Sequence, residues 1–232
     1  LMSAIQEHNL NPRDYVGLSF WLISIALAAS CGFFTLERFN VDEKWKTTMT
    51  VSSMVTGIAA SHYYYMRKIW VNEGKNPITY RYIDWFLTVP LQIIEFYLIL
   101  SVANKVPQEL FYKLLAASVL MILFGFLGET GVIDRMLGLV LGTIFWLYII
   151  WELFYGEAAK IRNKTKDESV KFAFDFLKWI VTVGWAIYPV GYLLNNYCMN
   201  ILYNIGDLIN KILFCGVIWY AAKYKFKKTS LF

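Results

Sequence analysis

An apolar stretch at residues 80–100, YRYIDWFLTVPLQIIEFYLIL, carries polar side chains at a spacing that suits a helix. Asp84, Thr88, Gln92 and Glu95 fall within a narrow arc of one helix face, since successive residues turn by about 100°. The rise from Asp84 to Glu95 is about 16 Å, so the two carboxyl groups would occupy opposite halves of a membrane. Ionisable groups inside a membrane commonly mark a pathway for ions or protons.

A second candidate group is Lys211, which lies midway along an apolar run between Asn200 and Ala222. Either end of that run is about 16 Å away by helical rise, too far for the side chain to reach water comfortably. A charge at the bilayer centre costs at least ~2.5 kcal/mol, so this amine needs a partner. Asp207, four residues earlier, lies on the same helix face. A buried ion pair that holds the helices in register is one interpretation.

A proton pathway is the other interpretation of these residues. If both helices run in the same direction, Asp84 and Asp207 lie outward of Lys211, and Glu95 lies inward of it. A carboxylate, an amine and a carboxylate in series suit proton transfer, but they have no energy source of their own. A primary amine in an apolar interior can condense with an aldehyde to form a Schiff base. A bound aldehyde chromophore would supply the missing energy from light.

The composition predicts a membrane-spanning scaffold for these groups. The chain has 232 residues, of which 58% are hydrophobic and 18% aromatic, more than one soluble domain of this length requires. A bilayer core needs about 20 apolar residues per helix. We therefore predict an all-α membrane protein with seven transmembrane helices and a single domain over residues 1–232. The seven spans lie at about 16–36, 47–67, 78–102, 110–128, 132–154, 172–194 and 200–222.

The distribution of basic residues predicts the orientation of this bundle. With the N-terminus outside, the inner loops and tail hold 14 Lys and Arg residues and the outer loops hold 5. Such an excess marks the cytoplasmic side. We therefore expect residues 1–15 outside and the basic tail 223–232 in the cytoplasm, against lipid headgroups. The first span begins too late and runs too long for a secretory signal peptide.

Other classes of function have little support in the sequence. Cys31, Cys198 and Cys215 are odd in number and far apart, which indicates neither disulfides nor a metal site. Nothing resembles a nucleotide loop, a zinc motif or a nucleophile elbow. The basic tail is short, so we predict no nucleic-acid partner.

Three motifs together resemble those of one family. They are RYIDWFLTVPLQIIEFYLIL from Arg81, GWAIYPVGY from Gly184 and DLINKILF from Asp207. Along nearly its whole length the chain resembles the microbial rhodopsins and, within them, the blue-absorbing proteorhodopsins. The resemblance implies a bundle of the microbial rhodopsin type in a bacterial inner membrane. It also implies a light-driven outward proton pump rather than an enzyme.

The resemblance further implies a role for each buried charge. All-trans retinal would be bound covalently to Lys211 as a protonated Schiff base, with Asp84 as its primary counterion and proton acceptor. Asp207 would be the second counterion, and Arg81 an outward partner that tunes both carboxylates. Glu95 would hold the proton that later returns to the Schiff base from the inner side.

Further positions follow from the same resemblance. His62 would bond to Asp84 and, near Trp21, contact a neighbouring protomer in a pentameric or hexameric ring. Without the resemblance, a helix-packing hydrogen bond would be the simpler role for this histidine. Gln92 would lie beside the polyene and favour blue absorption. The residues that would enclose the polyene are Trp85, Thr88, Gln92, Met121, Trp146, Trp185, Tyr188, Pro189 and Tyr192.

Asp175 and Lys178 depart from the family's pattern. They lie three residues apart near the inner end of the sixth span, which suits an interfacial ion pair; a gate on proton uptake is the alternative. We expect Glu129 to be an exposed carboxylate at a helix end, with a place in a proton-release pathway as its alternative.

Two other functions are compatible with the sequence. One is a sensory photoreceptor with a slow photocycle that works through a transducer protein, although Glu95 suits the rapid proton return of a pump. The other is a retinal-free seven-helix receptor or scaffold, which would stay colourless when retinal is supplied.

Overall fold

Polar caps at the borders of the apolar stretches determine where several helices begin. The computed structural model describes residues 10–224. Asp14 accepts a hydrogen bond from the amide of Gly17 at 3.0 Å, and Asp134 accepts one from Leu137 at 2.9 Å. Such side chains satisfy amides that lack a partner in the first turn of a helix. In both places the helix starts at the next residue.

Within residues 10–224 the chain is helical, without strands. The α-helices are α1 Tyr15–Glu37, α2 Lys46–Lys68, α3 Ile78–Ser101, α4 Gln108–Glu129, α5 Arg135–Phe154, α6 Glu157–Lys164, α7 Glu168–Thr182, α8 Ile187–Tyr192 and α9 Asn196–Lys223. Shorter helical turns lie at Arg38–Asn40, Glu43–Trp45, Ile69–Glu73 and Gly184–Ala186. Because α7 and α8 form one crossing and α6 lies in a connection, the predicted seven-helix bundle is confirmed.

The crossings pack in chain order and close into a ring. Each of α1 to α4 lies against the next helix, and α9 returns to α1 while also packing on α2, α7 and α8. The segments containing α1, α3, α4, α5 and α9 are long and apolar enough to cross a bilayer. Of the α3 span 61% is buried, and of the α9 span 56%, against 28% for α4 and α5. The two most enclosed spans are therefore those that carry the predicted charges.

The sixth crossing is less regular than the continuous span predicted at 172–194. It begins earlier, at Glu168, and α7 ends at Thr182; a 3-10 turn at Gly184–Ala186 precedes α8. Pro189 contributes to the irregularity, because proline has no N–H to donate to the carbonyl one turn earlier.

The charged connection after α5 contains a helix that the sequence analysis did not predict. Glu152 is buried in the last turn of α5, and its Oε1 accepts a hydrogen bond from the amide of Ala158 at 3.0 Å. This carboxylate caps the start of α6. Residues 1–9 and 225–232, which include most of the two predicted terminal segments, lie outside the described part of the chain.

Helices α4 and α5 touch through glycines. A Cβ atom at Gly138 would lie 2.6 Å from the Cα of Gly128 and 2.8 Å from the carbonyl oxygen of Phe124. These are backbone atoms, which cannot rotate away as a side chain can. The close approach of the two helices therefore requires glycine at this position.

Gly138→Ala should destabilise the bundle by about 1–3 kcal/mol, because α4 and α5 must separate to admit a methyl group. Thermal unfolding in detergent measures the change. Gly32→Ala is the matched control, since nothing lies within 4 Å of a Cβ at that position, and alanine favours a helix over glycine. Equal melting temperatures for the two variants would contradict the proposed close packing.

Candidate functional site

Three charged side chains meet inside the bundle. Lys211 Nζ lies 2.7 Å from Asp84 Oδ2 and 2.8 Å from Asp207 Oδ2. None of the three is more than 1% exposed. α9 carries Lys211 and Asp207 one turn apart, and α3 brings Asp84 to the same point. Attraction between charges is strong away from water, so each charge makes the burial of the others possible.

The two carboxylates differ in the number of hydrogen bonds that they accept. Besides the lysine, Asp207 accepts from the hydroxyls of Tyr63 and Tyr188, each at 2.7 Å, and from Trp85 Nε1 at 3.2 Å. Asp84 Oδ2 accepts from the lysine, whereas Asp84 Oδ1 is buried without a hydrogen-bond partner. Asp207 therefore keeps strong support for its charge even without the lysine, whereas Asp84 loses its main support.

Arg81 lies next to this cluster and is linked to it indirectly. Its guanidinium donates to Tyr63 Oη at 2.9 Å, to Asn200 Oδ1 at 2.9 Å and to Asn204 Oδ1 at 2.6 Å. Tyr63 in turn donates to Asp207 at 2.7 Å. A single tyrosine hydroxyl thus connects the buried guanidinium to one of the carboxylates.

Amides extend this network toward the loops that precede α3 and α9. Asn200 Nδ2 donates to Asn76 Oδ1 at 3.0 Å, and Asn76 Nδ2 donates to the exposed Asn196 at 3.3 Å. Asn204 Nδ2 donates to Ser19 Oγ at 2.8 Å. The sequence analysis missed these residues. Their spacing was a usable signal, because Asn196, Asn200 and Asn204 recur every four residues on α9.

The hydrogen bond expected between His62 and Asp84 is not formed in this structure. His62 Nδ1 lies 3.9 Å from Asp84 Oδ1, beyond hydrogen-bond range. The same nitrogen lies 3.0 Å from the carbonyl oxygen of Ile58, one turn earlier on α2. The histidine ring nitrogen is therefore engaged by its own helix, although it stays close to the unpartnered carboxylate oxygen.

A cavity lies between the helices and reaches Lys211. Most of the residues predicted to enclose a polyene line it: Lys211, Trp85, Gln92, Met121, Trp146, Trp185, Tyr188, Pro189 and Tyr192. Thr88 does not line it; its buried hydroxyl donates to the carbonyl of Asp84 at 2.9 Å.

Part of the cavity wall was missed by the sequence analysis. The additional lining residues are Tyr82, Val89, Ile122, Gly125, Gly138, Leu139, Gly142, Thr143, Tyr203 and Asp207. The aromatic and aliphatic members follow the same helical spacing as the predicted residues. The three glycines gave no signal, because a residue without a side chain carries no pattern of polarity.

Glu95 lies apart from the charged cluster, in more apolar surroundings. Its carboxyl group is 1% exposed; Oε1 lies 3.5 Å from Ser52 Oγ, and Oε2 has no hydrogen-bond partner. The next residue, Phe96, packs edge to face against Phe174 and Phe214, with ring centroids 5.4 Å and 6.2 Å apart. These surroundings favour an uncharged carboxylic acid, since an isolated buried carboxylate is costly.

The predicted ion pair of Asp175 and Lys178 is confirmed, with Nζ 3.4 Å from Oδ1. It has a third member, Arg162, whose guanidinium donates to both carboxylate oxygens and so ties α6 to α7.

The expectation that Glu129 is exposed was wrong. Glu129 Oε2 accepts from the hydroxyl of Tyr82 at 2.8 Å, and Oε1 is buried. The hydroxyl of Tyr82 therefore holds the Glu129 side chain against α3.

Known proteins are similar to this chain in both sequence and fold. A family model described as bacteriorhodopsin-like protein matches residues 14–224. The chain is 47% identical over 223 residues to the green-light absorbing proteorhodopsin of Gamma-proteobacterium EBAC31A08, which covers 92% of this chain and 89% of that relative. The crystal structure of the blue light-absorbing proteorhodopsin from Med12 is 49% identical, with a TM-score of 0.80, covering 90% of this chain and 98% of that one.

Xanthorhodopsin, described as a light-driven ion pump with dual chromophore, is 27% identical. Its TM-score is 0.77, with 92% of this chain and 95% of that chain covered. The family model spans most of the chain, and the relatives match it at nearly full length with the same helical fold. The chain therefore belongs to the bacteriorhodopsin-like family, the microbial rhodopsins.

Proposed function

We propose that this protein is a light-driven pump that carries protons outward, with all-trans retinal bound covalently to Lys211. The observation that carries the proposal is the meeting of one buried amine with two buried carboxylates at an aromatic cavity. Membership of the microbial rhodopsins and the likeness to proteorhodopsins support it. An ion pair with a purely structural role would need no cavity beside the amine.

The lining residues fit retinal. Trp85, Trp146 and Trp185 present flat apolar surfaces suited to a polyene, and Lys211 supplies the amine with which an aldehyde reacts. Bound there, retinal supplies the absorption of light and a light-driven change of shape. Trp85 and Trp185 are 6% and 4% exposed, so they also exclude water from the cavity.

The outward transfer uses the difference between the two carboxylates. In the dark, Lys211 Nζ holds a proton 2.7 Å from Asp84 Oδ2. After light absorption that proton passes to Asp84, because Asp207 retains its charge through the donors Tyr63, Tyr188 and Trp85. Asp84 lacks such donors, so protonation is its way to remain buried once the amine is neutral.

Glu95 returns a proton to Lys211 Nζ from the inner side. Its apolar surroundings keep the acid protonated in the dark, and the Ser52 hydroxyl at 3.5 Å supports one of its oxygens. A carboxylic acid in this position can give up its proton when the amine needs it. It is then reloaded from the cytoplasm, which makes the cycle directional.

Arg81 and the amides beyond it mark the outward half of the pathway. The guanidinium is bonded to Asn200 and Asn204, and Asn200 leads to Asn76 near the protein surface. We assign the end of the bundle that holds Asn76 to the outside, because the basic loops lie at the opposite end. The described part of the N-terminal segment would then also lie outside. We also propose that residues 1–232 form one rhodopsin domain in a bacterial inner membrane.

A homo-oligomeric ring, a pentamer or hexamer, is part of the proposal. Trp21 is 37% exposed on α1 and lies 6.0 Å from Tyr64 between ring centroids. The His62 side chain is 22% exposed, so it can reach a neighbouring protomer while remaining 3.9 Å from Asp84. A contact between protomers at His62 would therefore act on the proposed proton acceptor, Asp84, through this one side chain.

Illumination of retinal-supplied cells should acidify the medium, and a protonophore should abolish the change. Lys211→Ala should remove both colour and acidification, while Asp84→Asn should keep a coloured protein that no longer acidifies. Lys164→Ala, at an exposed lysine of α6, is the matched control. Coloured cells that express the unchanged chain without acidifying the medium would overturn the pump and favour a sensory role.

Glu95→Gln should slow the return of the proton by about 10²-fold or more, since a glutamine cannot donate an acid proton. Flash spectroscopy of the purified protein measures this step. Glu109→Gln, at an exposed glutamate of α4, should leave the rate unchanged. Similar rates in the two variants would remove Glu95 from the role of donor.

Gln92→Leu should move the absorption maximum to longer wavelength. Gln92 is 2% exposed, lines the cavity, and has an amide nitrogen without a hydrogen-bond partner. Its dipole beside the polyene stabilises the ground state more than the excited state, so we propose blue absorption for the unchanged chain. An absorption spectrum of each purified pigment decides, and an unmoved maximum would count against this role.

A further inference from the structure

One wall of the cavity lies across the bundle from Lys211. Lys211 belongs to α9, which packs on α1, α2, α7 and α8. Helices α4 and α5 pack most closely on each other and line the cavity together. A ligand whose aldehyde end is held at Lys211 therefore extends toward α4 and α5. The residues of this far wall are Met121, Ile122, Gly125, Gly138, Leu139, Gly142, Thr143 and Trp146.

Side chains that form strong hydrogen bonds are scarce on the far wall. Trp146 and Thr143 carry them, while the other residues are aliphatic, a methionine or glycines. Trp146 Nε1 already donates to the carbonyl of Val181 at 2.9 Å. A polar group on a ligand that reaches this wall would therefore find its side-chain partner at Thr143.

The hydroxyl of Thr143 is not engaged by its own helix. Threonines in helices commonly donate to the carbonyl one turn earlier, as Thr88 does at 2.9 Å and Thr182 does at 2.8 Å. Within residues 10–224, Thr143 makes no such bond to Leu139 and no other hydrogen bond. Because Thr143 is partly buried and lines the cavity, its hydroxyl is free to donate and to accept there.

The polar groups near Lys211 differ from Thr143, because they are already engaged. Tyr188 Oη and Trp85 Nε1 donate to Asp207 at 2.7 Å and 3.2 Å. At the far wall, a ligand that ends in hydrocarbon would leave the threonine hydroxyl unpaired, a cost that a valine of similar shape would avoid. The threonine therefore favours a ligand with a polar group at the end opposite its aldehyde.

We propose that Thr143 is a specificity-determining residue, through which the cavity takes a retinal with a hydroxyl group on its ring in preference to unsubstituted retinal. The Thr143 hydroxyl forms a hydrogen bond with the ring hydroxyl, while Lys211 holds the aldehyde end of both forms. Gly138 and Gly142 carry no side chain into the cavity on this wall, which leaves room for the added oxygen. The inference rests on the proposed function, because it specifies which retinal Lys211 binds.

Competition between two retinoids tests this preference. Purified protein without chromophore is offered equal amounts of all-trans retinal and all-trans 3-hydroxyretinal, and the bound retinoids are then extracted and separated by chromatography. The unchanged chain should bind the hydroxylated form in about threefold to tenfold excess, the effect of one neutral hydrogen bond. Thr143→Val should abolish the excess, whereas Thr143→Ser, which keeps a hydroxyl, should retain most of it.

Thr35→Val is the matched control, since Thr35 is exposed on α1 and its hydroxyl donates to the carbonyl of Cys31 at 2.7 Å. Each variant should form as much pigment as the unchanged chain when retinal is offered alone, which shows that the cavity is intact. Equal binding of the two retinoids by the unchanged chain, or an excess that survives in Thr143→Val, would overturn the inference and leave the proposed function in place. Failure of the unchanged chain to form pigment with either retinoid would overturn both.

Discussion

The structure depends on the mutual burial of Lys211, Asp84 and Asp207. Any one of these charges would be costly alone in the bundle, and removing one partner from a buried pair typically costs about 3–5 kcal/mol. The amine balances only one of the two carboxylates. A second positive charge, on Arg81, is connected through the hydroxyl of Tyr63. The two positive and two negative charges therefore balance. When a single proton moves, this balance is lost and the interaction energy of the buried charges changes strongly.

The two ends of the bundle surround this cluster with different chemistry. Beyond Arg81 the side chains are amides and hydroxyls, which exchange hydrogen bonds readily and lead to exposed Asn196. Around Glu95 they are mainly apolar, with Phe96 and Phe174 in contact. In the proposed pump, the polar half would face outward and the closed half inward, and this difference would give the proton movement its direction.

The sequence alone predicted the parts that follow a regular period. The stripe from Asp84 to Glu95 and the amine of Lys211 could be found because charges in an apolar helix are conspicuous. Asn200 and Asn204 obey the same spacing, but neutral amides were passed over. Tyr63 could not be identified, since a hydroxyl among adjacent tyrosines has no distinctive neighbour in the chain. The break before α8, the bond of Glu129 to Tyr82 and the bond of His62 to Ile58 depend on contacts between atoms, which spacing does not encode.

The glycines on α4 and α5 have a consequence for how the cavity can change over evolution. Gly125, Gly138 and Gly142 leave main-chain atoms as part of the cavity wall, and the two helices already touch there. Walls built from side chains can be reshaped one rotamer or one substitution at a time. This part of the wall has no rotamers, so a change in its shape would require the two helices to shift together.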